Sequence, residues 1–227
     1  DEHPWFKESR KGKNNPYHDY YYWRKGRRLP GGRHLPPNNW TSLFEGGAWE
    51  YDSNLDEYYL HLFAKKQPDL NMDNPKVRAE VKDILRFWLD MGVDGFREDV
   101  ITFIAKAPGM PNSYPKLPIA NGMKYFSNRP EVYDYLREFR DEVLSGYDCF
   151  TVGESPLTTA EIALKYVTEG ENQVLDEMIS FSHMEADCFM TDMIRRPFDL
   201  RKMKRAFSDW QYKLAGKGWN ALYIENH

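Results

Sequence analysis

From residue 67 onward the chain repeats one pattern four times: a stretch with helical spacing of apolar residues, then a short apolar run of strand length. Asn74 and Pro75 supply an N-cap acceptor and a proline at the first helical position. Val77, Val81, Ile84, Leu85, Trp88 and Leu89 then share one helical face, and Gly92 ends the helix. The run GVDGFREDV follows as a strand. A proline-bearing connection over residues 104–129 leads to a second helix at about 130–145, with Val132, Leu136, Phe139 and Val143 on its apolar stripe. CFTVG at 149–153 is the second strand, and Thr158 or Thr159 caps a third helix to about residue 168. VLDEMISF is the third strand. A fourth helix at about 199–215 carries Leu200, Met203, Phe207, Trp210 and Leu214, and WNALYIENH closes the chain as a fourth strand. Strands that alternate with helices in this way imply an α/β fold with a parallel sheet and right-handed crossovers. The sheet is either open and doubly wound or part of a closed eight-stranded barrel, which four strands alone do not complete.

Residues 1–66 have a different texture. Segments such as NNPYHDYYYWRKG, LPGGRHLPPNNW and FEGGAWEYD are rich in aromatic residues, Asn, Gly and Pro, and lack long helical periodicity. YYYW and EYYLHLF read as short strands. This region is an irregular subdomain, distinct from residues 67–227; its aromatics serve a small core of its own or a ligand surface.

Several function classes are disfavoured. With 31 basic and 35 acidic residues intermixed and a net charge of −4, the chain has no basic stripe of the kind a nucleic-acid surface needs. No run of about 18 apolar residues exists to span a membrane. Cys149 and Cys188 form neither a metal spacing nor a disulfide framework, which favours a reducing, cytoplasmic compartment. The start DEHPWFKESR and the end YIENH both look cut, so a piece of a longer protein is expected.

The polar residues of the strands gather toward their C-terminal ends: Arg97 and Asp99, Glu154, Asp176 and Glu177, Glu225 and His227. In a parallel barrel those ends share the rim that holds active sites. Alternation puts Arg97 beside Asp99, with Glu98 on the opposite face. An adjacent guanidinium favours an ionised carboxylate, which suits Asp99 as a nucleophile, while a less ionised Glu154 suits proton donation. Two carboxyl groups in unlike surroundings are the equipment of glycosidic bond cleavage, retaining when they stand about 5–5.5 Å apart. For any single residue, pattern alone favours a structural ion pair or a helix cap; the coincidence across three strands weakens that account for the set.

The motifs GVDGFREDV, TVGES, QPDLN at 67–71 and ENH at 225–227 stand in an order that resembles four short signatures of the alpha-amylase clan, glycoside hydrolase family 13. QPDLN, NNWTSLFEGGAWEYD and YYLHLFAKKQPDLN resemble its oligo-1,6-glucosidase and alpha-glucosidase branch. The resemblance spans essentially the whole chain. It implies a (β/α)8 TIM barrel, of which residues 67–227 carry the third helix through the seventh strand, with residues 1–66 as most of an inserted irregular domain. It further implies that Asp99 is the nucleophile, that Glu154 is the general acid/base, and that Arg97 holds the nucleophile and contacts the sugar. His227 is implied to bind sugar hydroxyls, and Phe44 and Phe63 to lie near the substrate, although core packing is an equal account of the two phenylalanines. Val100 resembles the valine that accompanies preference for alpha-1,6 links.

Glu98 departs from the methionine the branch leads one to expect, and its position predicts a structural effect. The branch's third carboxylate falls one residue beyond His227, and its early Asp and His motif and first-loop calcium site fall before Asp1, so no metal or cofactor is expected within residues 1–227. The implied activity is that of a retaining, exo-acting alpha-glucosidase on short oligosaccharides, with an oligosaccharide as partner and no nucleic acid or membrane. Rival expectations are a sucrose isomerase, a trehalose-phosphate hydrolase or a transglucosidase, or a non-catalytic amylase-like protein. The incomplete barrel by itself is expected to be inactive and to self-associate through exposed edges and apolar surface.

Overall fold

The computed structural model describes residues 1–227 except 45, 118–119, 190–193 and 225–227. The chain divides into two compact units, residues 1–81 with 104–127, and residues 82–103 with 128–227. The boundary drawn from texture at residue 66 and this division differ over 67–81 and 104–127. The connection 104–127 joins the first unit through backbone bonds such as Thr41 N to Asn121 O, 3.1 Å, and through the Asn39 amide, which bonds the Ser113 carbonyl at 2.9 Å.

The first unit is built on aromatic packing. Helix α1 (Pro4–Ser9) precedes strands β1 (Trp23–Arg24), β2 (Arg27–Arg28), β3 (His34–Leu35), β4 (Trp49–Asp52) and β5 (Glu57–Leu60). β1, β5 and β4 form an antiparallel sheet, and β2 pairs with β3. Phe6 stacks on Trp23 at 5.8 Å and meets Tyr59 edge-on at 5.0 Å, so YYYW and EYYL contribute to one buried core. The QPDLN motif is a clasp on this core. Asp69 accepts a bond from the Leu62 amide at 2.8 Å and an ion pair from the buried Lys106 at 2.5 Å, while the Asn71 amide bonds the Tyr20 carbonyl at 2.8 Å.

Helix α2 (Pro75–Asp90) starts where proline predicts, with the Asn74 side chain accepting from the Lys76 amide at 3.0 Å. It ends at Gly92, whose φ of +90° suits glycine.

The second unit follows the alternating pattern: β6 (Gly95–Glu98), α3 (Pro130–Glu142), β7 (Phe150–Ser155), α4 (Ala160–Val167), β8 (Glu177–Ser180), a small antiparallel pair β9 (Cys188–Phe189) and β10 (Ile194–Arg195), α5 (Leu200–Leu214) and β11 (Trp219–Ala221). β11, β8, β7 and β6 form a parallel sheet in that order. Thr159 caps α4 and Asp199 caps α5. Phe96 packs against the cluster of Leu89, Val143 and Leu144, which marks that face of β6 as the helix-packed one.

One part of the expected α2 stripe is open. Ile84 and Trp88 are 47% and 45% exposed, because with Leu85, Val93 and Phe96 they line an apolar cavity of about 370 Å³ along β6, an edge strand of the described sheet. No helix among the described residues is long and apolar enough to cross a membrane.

Candidate active site

The site forms where β6 and β7 end. Their parallel register pairs Arg97 with Val152 and Glu98 with Gly153, so the next residues, Asp99 and Glu154, stand at the same level. Gly153 permits close packing just before the acid. A Cβ there would lie 2.5 Å from Leu175 Cδ1 and 3.2 Å from Ile101 Cγ2. The strand β6 is shorter than the run GVDGFREDV, since Val100 takes a left-handed φ of +43° that ends it.

One guanidinium joins the two carboxylates. Arg97 Nη1 bonds Asp99 Oδ1, and Nη2 pairs with Glu154 Oε1 at 2.5 Å. The backbone N–H of Val100 donates to the other Glu154 oxygen at 3.2 Å. The two acids differ in surroundings: the Asp99 side chain is 71% exposed and that of Glu154 only 8%. Burial pushes the Glu154 carboxyl above the usual range. Arg97 opposes the rise, the nearby Asp99 side chain adds to it, and the Val100 amide restrains it. The net rise keeps part of Glu154 protonated where an ordinary glutamate is ionised.

Arg97, Asp99, Val100 and Glu154 are thus brought together. Phe44 and Phe63 are brought to each other in the first unit, edge to face with centroids 5.6 Å apart and Phe44 largely exposed. His227 and Glu225 lie outside the described residues. Asp176 and Glu177 correct the expectation that they join the carboxylates at strand C-terminal ends: they stand at the start of β8. The register pairing Val152 with Glu177 fixes that start, and Asp176 is occupied there by the Thr151 amide at 2.8 Å and hydroxyl at 2.9 Å. What sequence reasoning missed is the Val100 amide, because a valine after a strand signals more strand rather than a left-handed turn.

The alpha-amylase catalytic-domain family matches residues 1–227. The chain belongs to the alpha-amylase family. It is 50% identical to the oligo-1,6-glucosidase of Parageobacillus thermoglucosidasius, over 100% of this chain and 40% of that protein. Among solved structures, the trehalose-6-phosphate hydrolase of Bacillus licheniformis is similar at a TM-score of 0.88 and 39% identity, over 99% of this chain and 39% of that one. The isomaltulose synthase of Erwinia rhapontici is similar at 0.89 and 38%, over the same shares. The chain therefore spans about 40% of the length of the curated relatives it matches, and its parallel sheet is part of a (β/α)8 barrel.

Proposed function

We propose that the protein carrying this chain is a retaining, exo-acting alpha-glucosidase that cleaves alpha-glucosidic bonds of short oligosaccharides, with alpha-1,6 links preferred. The observation that carries the reading is the single guanidinium of Arg97 holding an exposed and a buried carboxylate together. Asp99, exposed and paired, attacks the anomeric carbon and forms a covalent glucosyl-enzyme. Glu154, with its raised carboxyl, gives its proton to the departing oxygen and then takes one from the incoming water. That both acids reach one guanidinium places them close together, which supports the short spacing of a retaining pair over the wider spacing of an inverting one. Val100 and His227 are assigned to the substrate by the resemblance, and Phe44 offers exposed ring surface for a sugar face, with the half-buried Phe63 edge-on against it.

The identity to oligo-1,6-glucosidases favours hydrolysis over the isomerase and phosphate-sugar readings. Retention of both carboxylates weighs against a non-catalytic role. The chemistry draws on side chains alone and needs no cofactor. Two free thiols, Cys149 and Cys188, support a reducing, cytoplasmic compartment. The open cavity beside Ile84 and Trp88 supports self-association of the isolated chain.

The test uses the full-length enzyme. Asp99→Asn and Glu154→Gln each abolish turnover of isomaltose, while Glu154→Gln retains a burst with an aryl alpha-glucoside whose leaving group needs no proton. Normal isomaltose turnover in either variant ends the assignment.

A further inference from the structure

Among the described non-glycine residues with positive φ, Asp56, Val100, Met110, Ala120, Asn128 and Leu157, only Val100 is β-branched. A branched Cβ makes φ of +43° a strained backbone, and such strain persists only where the surroundings enforce it. Two backbone bonds flank the turn. The Val100 carbonyl accepts the Phe103 amide at 3.0 Å, which starts the short helical turn Ile101–Phe103, and the Val100 amide reaches Glu154 Oε2 at 3.2 Å.

We propose that Val100 is a positioning residue that acts through its backbone: its N–H, in the peptide plane that follows Asp99, donates to Glu154 and fixes that carboxylate beside Asp99 and Arg97, while the left-handed turn carries the chain away into residues 101–103. The proposal rests on the reading of Glu154 as the proton donor, and it concerns the main chain rather than the side-chain contact that the resemblance assigns to Val100. Removing the Val100 N–H would leave Oε2 without this donor. Glu154 would then keep one charged partner, Arg97, on Oε1. An acid that must give up a proton and later recover it works best at a balanced proton affinity. Burial pulls that affinity up; the guanidinium and the amide hold it down. The amide therefore sets both where the acid points and how readily it lets go of its proton.

The experiment needs no turnover, so its failure and the failure of the glucosidase reading are distinguishable. In the full-length enzyme, ¹⁵N-labelled at valine, the Val100 amide proton should shift with pH along the Glu154 titration, and Glu154→Gln should flatten it. Replacing the Val100 amide by an ester removes the donor and should raise the Glu154 midpoint, read by carboxyl ¹³C shifts, by about one pH unit. Val100→Gly keeps the N–H and should leave that midpoint in place, which separates the main chain from the side chain. A Val100 amide that ignores the Glu154 titration overturns the proposal. So does an ester that leaves Glu154 unmoved, or a Val100→Gly variant whose Glu154 midpoint rises as far as the ester's.

Discussion

On one face of β6, Arg97 gathers Asp99 and Glu154 into a partnered cluster; on the other, Glu98 buries a carboxylate oxygen that has no hydrogen-bond partner among the described residues. The two glutamates are neighbours in space as well as in kind, since Glu98 pairs in register with Gly153, the residue before Glu154. Both are pushed upward by burial. Glu154 has a guanidinium and a backbone amide to oppose the rise. Glu98 has neither, and burial, with the Asp176 carboxylate adding to it, takes its carboxyl up to about 8. Burial sets the direction for both; partners decide how far each goes. A proton donor needs the moderated case, while a residue on the helix-packed side of the strand only has to stay neutral to be tolerated.

The largest effect should come from abolishing the unmoderated case. The folded pKa of Glu98 lies above the ordinary glutamate value of 4.5, so the folded chain holds this proton more tightly than the unfolded chain does. The contribution of Glu98 to stability is therefore fully present below about pH 4.5 and falls as pH rises toward 8, above which its loss is complete. Glu98→Gln cannot ionise and lacks that fall. Its advantage over the wild type should grow through the window and reach several kcal/mol at pH 8, to order of magnitude. Urea midpoints measured from pH 4 to pH 9 decide the matter; parallel curves for the two chains would show that Glu98 does not ionise against burial.

A second change should turn the moderated glutamate into a copy of the unmoderated one. Arg97→Met removes the cation that opposes the rise of Glu154. The folded pKa then climbs further above the unfolded value, so the added loss of stability appears only as pH rises past the ordinary carboxyl range. At pH 7 it should be about 1–2 kcal/mol, discounted because the Arg97 side chain is 39% exposed, and at pH 4 the two chains should converge. An equal loss at both pH values would assign Arg97 to packing instead.

The contrast explains what could and could not be read from the sequence. Alternation along GVDGFREDV separates Arg97 and Asp99 from Phe96 and Glu98, and Phe96 does pack on the helix side. The helix start at Asn74–Pro75, and a cap at Thr158 or Thr159, of which the structure uses Thr159, were legible because caps are local chemistry. The level of Asp176 was not, because the start of β8 is set by its register with β7 and not by its own residues. Nor was the exposure of Ile84 and Trp88, since helical spacing specifies a face but not what lies against it. The turn at Val100 and the missing partner of Glu98 are tertiary outcomes at positions where the local pattern reads as ordinary strand.

The smallest effect separates burial from like-charge repulsion at Glu98. Asp176 is second to burial in raising Glu98, and Arg140, 3.8 Å away, pairs with it. Asp176→Asn keeps an oxygen for the Thr151 amide and hydroxyl while removing the charge. The upper end of the pH window should then move down by less than one pH unit, worth under about 1 kcal/mol. If burial dominates, most of the fall in stability between pH 4.5 and 8 survives in this variant and disappears only in Glu98→Gln. If Asp176→Asn flattens the curve as completely as Glu98→Gln does, repulsion between the two carboxylates is the cause. The helix-packed face of β6 would then be governed by charge partners, as its Arg97 face is, and the difference between the two would be one of sign.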